Sequence, residues 1–245
     1  MSGRRTLATA RRILLQLRHD PRTVALMLIV PCVLMALLRY IYDDQPKVFD
    51  RIGPMLLALF PFTVMFLITS VAMLRERSTG TLERLLSTPT AKLDILVGYA
   101  LAFGAATVIQ VGLATALALG PLGLHIHGRV MIVVLFAFID ALMGMALGLF
   151  LSAFANTEFQ AVQFLPAFVL PQLLLCGLFA PRNHMAPVLH ALSNLLPLSY
   201  AVDGVSRAAT SHTWTTALDL DLAVVVGCVP LALALGAATL RRRTP

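Results

Sequence analysis

Six long apolar runs divide this sequence, and they constrain its fold more than any other feature. They cover residues 24–41, 54–74, 93–119, 130–154, 161–180 and 220–240. Each is close to or above the roughly 20 residues that an α-helix needs to cross the hydrocarbon core of a bilayer. Only 13% of the residues are charged, against about a quarter in a soluble domain, so lipid must cover much of the chain. The sequence therefore predicts an all-α integral membrane protein with six transmembrane helices.

The segments outside these runs also carry helical patterns. Residues 1–22 predict an amphipathic helix, because apolar side chains recur at helical spacing opposite a face rich in arginine. The apolar face consists of Leu7, Ala10, Ile13, Leu14 and Leu17. Such a helix is typical of the lipid headgroup layer, although it could serve only as a topology anchor. The first apolar run is too long for a cleaved signal sequence, so we expect it to be retained as the first span.

Residues 181–219 are interrupted by Pro, Asn, His and Arg, and their apolar pieces are too short to cross a bilayer. They predict re-entrant or interfacial helices on the external side. No composition shift marks a second domain, so residues 1–245 are interpreted as one membrane domain.

The distribution of basic residues predicts the orientation of the chain. Thirteen of the 19 Lys and Arg residues lie in the N-terminal segment, the loop after the second run and the C-terminal tail, against five in the segments of the other side. Because cytoplasmic loops carry an excess of Lys and Arg, both termini should be cytoplasmic. The net charge of +7 is not gathered along one polar face, so no nucleic-acid partner is expected. The preference for Arg over Lys suggests a GC-rich bacterial genome.

The sequence offers no motif for catalysis or for metal binding. It has no G-x-x-x-x-G-K-[ST] phosphate loop, no H-E-x-x-H and no G-x-S-x-G, so ATP-driven work requires a separate chain. The three cysteines lie in apolar stretches without disulfide or zinc spacing, and we interpret them as packing residues. His125 and His127 have no Asp, Glu or Cys beside them, so no metal site is expected. By itself the chain is not expected to be an enzyme.

The loop of residues 75–93, with the sequence RERSTGTLERLLSTPTAKL, is the most informative segment between two runs. Ser78 or Thr79 could cap a short helix that Pro89 ends or follows. Glu83 would lie in its first turn, where a negative charge suits the helix dipole.

This short helix would have one apolar face, because Leu82, Leu85 and Leu86 follow the i, i+3, i+4 spacing. A helix of this kind could insert into a groove on a partner protein. It could equally lie on the membrane surface, and the spacing does not distinguish the two.

Three stretches of the sequence carry a family resemblance. The first is residues 75–89, RERSTGTLERLLSTP, and the second is residues 152–161, SAFANTEFQA, followed by a series of helix breakers. These breakers are Pro166, Pro171, Gly177 and Pro181. The third is residues 196–203, LPLSYAVD, followed by Arg207. In this order they resemble the signature loop, the fourth loop with the fifth span, and the segment before the last helix of ABC-2 type permeases. The chain most resembles the daunorubicin-resistance type of drug and lipid exporter permease.

The resemblance implies a half-transporter of six helices that pairs with a second permease copy and with two ATP-binding cassette subunits. ATP and Mg²⁺ would bind to those ATPase subunits, and this chain would bind no cofactor itself. The first cytoplasmic loop would be a coupling helix that docks on the ATPase, and the N-terminal helix would match the family's connecting helix. The coupling residues would be Glu76, Thr79, Gly80, Thr81, Leu82, Glu83, Arg84, Leu85, Leu86 and Pro89. The cargo would be a hydrophobic or amphipathic drug, lipid or secondary metabolite, which no motif identifies.

Asp140 lies near the middle of the fourth run, where a carboxylate costs about 2.5–3.5 kcal/mol on insertion scales. It could contact cargo or gate the bundle interior, or it could form a structural hydrogen bond to a neighbouring helix, for example to Gln110. The second and fifth runs are the expected walls of the pathway, because Phe and Met form an adaptable apolar surface. The expected pathway residues are Phe62, Phe66, Asp140, Gln163, Phe164 and Phe168.

The alternative interpretation is a non-transporting membrane scaffold or an integral-membrane enzyme. An enzyme should place several polar residues at one membrane depth, and only Asp140 is a credible intramembrane acid. A scaffold would not need an ATPase partner.

Overall fold

The computed structural model describes residues 2–82, 84 and 91–239 of the 245-residue chain. Every regular element in these ranges is helical, which confirms the predicted all-α fold. The α-helices are α1 (Gly3–Arg18), α2 (Pro21–Ile41), α3 (Pro46–Ser78), α4 (Lys92–Leu119), α5 (Val130–Leu151), α6 (Glu158–Phe164), α7 (Leu170–Leu175), α8 (Pro187–Ser193), α9 (Pro197–Thr210) and α10 (Thr216–Thr239). A π-helical turn at Leu165–Val169 joins α6 to α7, and 3₁₀ turns lie at Ser152–Phe154 and Arg182–His184.

Six helical stretches of the described chain are long and apolar enough to cross a membrane, which confirms the predicted number of spans. They are α2, α3, α4, α5 with its following turn, the α6–α7 stretch, and α10. In the most apolar part of α3, α4 and α5, 56% of the residues are buried inside the bundle, against 17% for the other three. The bundle therefore has three inner helices and three peripheral ones.

Two ends of the bundle are used below as landmarks. The α1 end holds α1, the last turn of α3 and the first turns of α4 and α6, which are joined by side-chain hydrogen bonds. The α9 end holds α9 and the first turn of α5, where the amide of Arg129 donates to the carbonyl of Ala208 over 3.0 Å.

The centre of the bundle is a close contact between α3 and α5. A Cβ atom at Gly144 would lie 2.3 Å from the carbonyl oxygen of Phe62, and one at Gly148 would lie 2.3 Å from that of Phe66. Glycine is therefore required at both positions for the two backbones to approach this closely. The hydroxyl of Thr69 also donates to the carbonyl oxygen of Met145 over 3.1 Å. Gly144 and Gly148, four residues apart on α5, thus form a packing face against α3.

α3 is longer than the apolar run that predicts it. The run covers residues 54–74, whereas the helix extends from Pro46 to Ser78 over 33 residues. At 1.5 Å per residue it is about 50 Å long, more than the roughly 30 Å of a hydrocarbon core. Hydropathy identifies only the part of a helix that lipid covers. The same helix can extend beyond the hydrocarbon core through polar residues that water solvates.

The fifth apolar run, residues 161–180, corresponds to the α6–α7 stretch, which spans Glu158–Leu175 and is not one regular α-helix. α6 starts at Glu158, the π-helical turn intervenes, and α7 ends at Leu175. Pro166 and Pro171 lack the amide hydrogens that a regular α-helix would use there, which explains the irregular turn. Gly177 then adopts φ +95°, a left-handed backbone that stops the chain from continuing as a helix.

Residues 181–219 contain α8 and α9. One face of α9 is buried, with Leu198, Ala201 and Val205 at 0% exposure, and it packs against α5 and α10. A Cβ atom at Gly204 would lie 2.3 Å from the ring of Phe136 on α5. α9 is thus an integral part of the bundle. The last span starts at Thr216 and not at residue 220.

Salt bridges fasten the α9 end. The guanidinium of Arg182 binds the carboxylate of Asp203 on α9 and lies 5.5 Å from the ring centre of Tyr200. Arg207 on the same helix binds the carboxylate of Asp221 on α10. These ion pairs hold α9 between the chain that precedes it and the last span.

Candidate functional site

The candidate site is the α1 end of the bundle, where the chain leaves α3. Arg75, Glu76 and Ser78 belong to the last turns of α3 and not to a loop, which corrects the predicted loop start at residue 75. The hydroxyls of Ser78 and Thr79 donate backwards to the carbonyl oxygen of Arg75, over 3.1 and 2.8 Å. They therefore help to close the C-terminus of α3.

Gly80 makes the turn that follows α3. Its φ of +71° lies in the left-handed region, where glycine carries no steric penalty. A helical turn starts directly afterwards, because the amide of Arg84 donates to the carbonyl oxygen of Gly80 over 3.1 Å. The predicted helix after Thr79 is therefore present at its start.

Leu82 is the one member of the predicted apolar face that the structure describes. Its side chain is 5% exposed and belongs to the core of this chain, so it does not form part of a surface for a partner. Thr81 is half-buried and Arg84 is exposed. The other predicted coupling residues lie outside the described side chains: Glu83, Leu85, Leu86 and Pro89.

Glu76 connects the end of α3 to α1. Its carboxylate accepts a hydrogen bond from Arg12 over 3.2 Å and one from Gln16 over 3.3 Å. Arg12 also donates to the hydroxyl of Tyr99 on α4 over 3.4 Å. The Glu76 carboxylate is only 11% exposed, which strengthens these charged contacts relative to a pair in open water. α1, α3 and α4 are therefore joined at one point.

Arg75 connects the end of α3 to α6. Its Nε donates to Oε1 of Glu158 over 2.7 Å, and its Nη2 donates to Oε2 over 3.1 Å. Two parallel hydrogen bonds between a guanidinium and a carboxylate fix orientation as well as distance. Neighbouring residues of one helical turn thus reach in different directions, Glu76 to α1 and Arg75 to α6.

α1 itself is tightly seated on α4. A Cβ atom at Gly98 would lie 2.7 Å from the Cβ and Cγ2 atoms of Thr9, so the two helices touch with no space for a larger residue. Because of this packing, only part of the predicted apolar face of α1 is buried. Ala10 and Ile13 are buried, whereas Leu7 and Leu14 are exposed, since the helix turns Thr6 and Thr9 towards α4 as well.

A cavity of about 520 Å³ lies beneath this junction, between α1, α2, α3, α4 and α6. Thr79 and Thr81 line it, so the turn after α3 is in contact with the cavity. Asp20 also lines it and caps α2, since its carboxylate accepts from the amide of Thr23 over 3.2 Å and from the Thr23 hydroxyl over 2.7 Å. These hydrogen bonds hold the pKa of Asp20 below its ordinary value of 3.8.

The predicted pathway residues divide into two groups. Phe62 and Phe66 have 0% exposure and lie in the contact between α3 and α5. Gln163 and Phe168 lie on the outer surface of the bundle, and Phe164 is half-buried. The ring of Phe168 stacks on that of Phe66, with 6.4 Å between ring centres. α3 and the α6–α7 stretch are therefore in direct contact.

Asp140 is fully buried in α5, and neither of its carboxylate oxygens has a hydrogen-bond partner among the described residues. The expected hydrogen bond to Gln110 is absent, because the Gln110 amide donates instead to the carbonyl oxygen of Met27 over 2.9 Å. An unpaired buried polar group costs stability, and such a group is commonly kept for a functional reason.

The described residues contain no cluster of three His, Cys, Asp or Glu side chains that could hold a metal ion. The amide of His125 donates to the carboxylate of Asp50 over 2.9 Å, which ties the loop before α5 to α3.

The sequence does not identify the contacts that Arg12, Gln16 and Glu158 make at the α1 end. Their partners lie 64, 60 and 83 residues away in the chain, so no local pattern connects them.

Comparison with known proteins agrees with this architecture. Residues 5–209 match the sequence profile of the family described as ABC-2 type transporter. ABC transporter G family member 20 of Dictyostelium discoideum is 27% identical over 159 residues, which cover 65% of this chain and 22% of that protein. The probable multidrug ABC transporter permease YbhR of Escherichia coli is 28% identical over 153 residues, 61% of this chain and 41% of that protein. The inner membrane transport permease YhhJ of Escherichia coli is 26% identical over 136 residues, 55% of this chain and 36% of that protein. The matched parts thus span less than half the length of these relatives.

Proposed function

The chain belongs to the ABC-2 type transporter family, and we propose that it is the permease subunit of an ATP-binding cassette exporter. In this proposal it forms the membrane pathway for a hydrophobic or amphipathic molecule, and two separate ATPase subunits supply the energy. A second permease copy completes the pathway. The relatives named as multidrug permeases support a drug-like cargo.

The proposed location is the bacterial inner membrane, with the α1 end in the cytoplasm. The excess of basic residues in the segments of that end supports this orientation. The turn at Thr79–Gly80 would then face the ATPase. ATP and Mg²⁺ would bind to the partner subunits, because the sequence has no phosphate-binding loop of its own.

The observation that carries the proposal is the pair of contacts at the end of α3. Arg75 holds α6 and Glu76 holds α1, one residue apart and directly before the turn that would meet the ATPase. A displacement of this turn must therefore move α6 and α1 together with α3, or break the ion pairs. This arrangement is suited to converting a push on one turn into a rearrangement of several helices.

Co-purification tests the proposal. The affinity-tagged chain, expressed in its host and extracted in mild detergent, should carry an ATP-binding cassette protein in a 1:1 ratio, and the complex should hydrolyse ATP. A chain recovered without such a protein would support the scaffold interpretation and refute the proposal.

Labelling tests the orientation. Arg84→Cys, at an exposed position after the turn, should react with a membrane-impermeant maleimide only after the membrane is opened. Thr213→Cys, in the exposed segment between α9 and α10, is the matched control and should react in intact cells. The three native cysteines are replaced by alanine in both variants. Labelling of Arg84→Cys from outside would refute the cytoplasmic position of the α1 end.

A further inference from the structure

We propose that the cavity at the α1 end binds a hydrophobic organic cation that enters from the adjacent leaflet of the membrane. This inference rests on the proposed function, because it names the chemical class of a cargo for the permease. It concerns a site within a single chain, separate from the aromatic residues of the second and fifth runs.

The size and position of the cavity suit a small organic molecule. Its volume of about 520 Å³ lies within the range of ordinary ligand pockets. Along α3 it extends from Leu67 to Glu76, which corresponds to about 14 Å of helix. Leu26 and Val162, which line it, are 61% and 44% exposed on the lipid-facing surface of α2 and α6. The cavity is therefore open towards the bilayer between these two helices.

The inner wall is apolar and aromatic. Tyr99 and Phe103 of α4 line the cavity, and their rings stack with 6.2 Å between ring centres. Aromatic faces attract organic cations through the ring quadrupole, and the attraction is strongest where water is excluded. The two aromatic rings would also accept a neutral ligand of the same size. The preference for a cation therefore depends on the charged groups at the opening of the cavity.

The charged groups at the mouth have an excess of carboxylates. Asp20, Glu76 and Glu158 line the cavity together with a single basic residue, Arg75. Glu158 is paired with Arg75, and Glu76 is paired with Arg12 behind it. Within the ranges that the structure describes, no Lys or Arg forms a salt bridge with Asp20, although the charge of Arg75, which is paired with Glu158, acts on it. The Asp20 carboxylate is negative at neutral pH, since the hydrogen bonds from Thr23 and the positive charge of Arg75 lower its pKa.

This distribution favours a cation over an anion. A cation in the cavity would find the carboxylate of Asp20 without breaking an existing pair. An anion would face that carboxylate, and it could use Arg75 only by displacing Glu158 from two hydrogen bonds. A phospholipid is disfavoured for the same reason, because its phosphate would lie beside Asp20.

Two ions of nearly equal size and opposite charge test the proposal directly. Tetraphenylphosphonium and tetraphenylborate are added to the purified full-length chain in detergent, and binding is measured by equilibrium dialysis against protein-free micelles. We expect saturable binding of tetraphenylphosphonium with an affinity at least about tenfold higher than that of tetraphenylborate, a difference of about 1.4 kcal/mol.

Variants locate the binding to this cavity. Asp20→Asn should weaken binding of the cation about tenfold while the cap of α2 is kept, because Asn caps a helix as well as Asp. Asp44→Asn, an exposed carboxylate at the far end of α2, is the control and should leave binding unchanged. Ala72→Trp should abolish saturable binding by filling the cavity. Leu26→Trp, at the lipid-exposed opening, should do the same without altering the core.

Equal affinity for the two ions would overturn the proposal, as would cation binding that persists in both tryptophan variants or does not change in Asp20→Asn. Because the assay uses the chain alone, its outcome is separable from that of the proposed function. An ATPase that co-purifies with a chain that does not bind the cation would leave the permease proposal standing and remove this one.

Discussion

Arg75 and Glu158 are joined by two hydrogen bonds of 2.7 and 3.1 Å. Among the residues that the structure describes, this ion pair connects the end of α3 to the start of α6. Their side chains are 55% and 52% exposed, so the pair contributes at most about 1 kcal/mol to stability. Its geometry is therefore of more consequence for how the two helices move together than for how firmly the bundle is folded.

The first prediction concerns this pair. Arg75→Glu should reduce ATP-driven transport strongly, because two carboxylates would then repel each other, while thermal unfolding in detergent changes little. Adding Glu158→Arg restores the opposite charges and should recover a substantial part of transport. Reversing Asp43 to Lys in the exposed Arg39–Asp43 pair is a matched control, and transport should be unaffected. Failure of the double reversal to recover any transport would contradict a coupling role for the pair.

The second prediction concerns the seat of α1 on α4. Gly98→Ala places a methyl group where Thr9 lies 2.7 Å away, so α1 must move outward, at a cost of about 1–3 kcal/mol. Trypsin should cleave after the arginines of α1 faster than in the unmodified chain. The sample is a preparation of membrane vesicles in which the α1 end faces the added protease. Gly112→Ala lies on the same helix with no atom within 4 Å of the new methyl group. It should cleave at the rate of the unmodified chain, and equal rates in both variants would show that this contact does not hold α1.

The third prediction concerns the contact between α3 and α5. Gly144→Ala requires the carbonyl oxygen of Phe62 to retreat from 2.3 Å, and because both backbones are rigid helices the cost should be about 1–3 kcal/mol. Thermal unfolding in detergent should therefore occur at a lower temperature. Gly227→Ala on α10 has free space around the new methyl group, and it should be neutral or stabilising by up to about 1 kcal/mol. A neutral Gly144→Ala would mean that α3 and α5 do not pack this closely.

The fourth prediction concerns Asp140. Both carboxylate oxygens are buried without partners among the described residues, so Asp140→Leu should keep or raise thermal stability, by about 1–3 kcal/mol. If the carboxylate acts at the interior of the permease, Asp140→Asn and Asp140→Leu should both transport less while the complex with the ATPase still assembles. Lower stability in Asp140→Leu would reveal a structural partner, and unchanged transport would remove the functional interpretation.

The number and order of the spans could be predicted from sequence because each depends on local composition. A run such as residues 93–119 must find an apolar environment wherever it is placed, and α4 occupies nearly the same range. Helix ends were less predictable. α3 continues through polar Arg75 and Glu76 because hydrogen bonding along the backbone does not stop where lipid stops.

The candidate site could be predicted only in part. The start of a short helix after Thr79 could be predicted from local sequence, whereas the partners of Arg75 and Glu76 depend on which helices meet at the α1 end. Leu82 shows that spacing alone does not tell whether an apolar face is exposed. Its spacing suggested an exposed face, but the bundle itself covers its side chain. The cavity beside Asp20 has no sequence pattern at all, because five different helices form its walls.

The contrast between α3 and the α6–α7 stretch has a mechanical consequence. α3 is one continuous helix, with Pro54 and Pro61 inside it, and near its other end Asp50 accepts a hydrogen bond from the amide of His125. We therefore expect a tilt applied at Thr79 to displace the loop before α5 at the opposite end of the bundle. The α6–α7 stretch starts beside the same turn but contains the π-helical turn at Leu165–Val169, so α6 can move while α7 keeps its position. We thus expect a movement of the turn at Thr79 to be transmitted further along α3 than along the α6–α7 stretch.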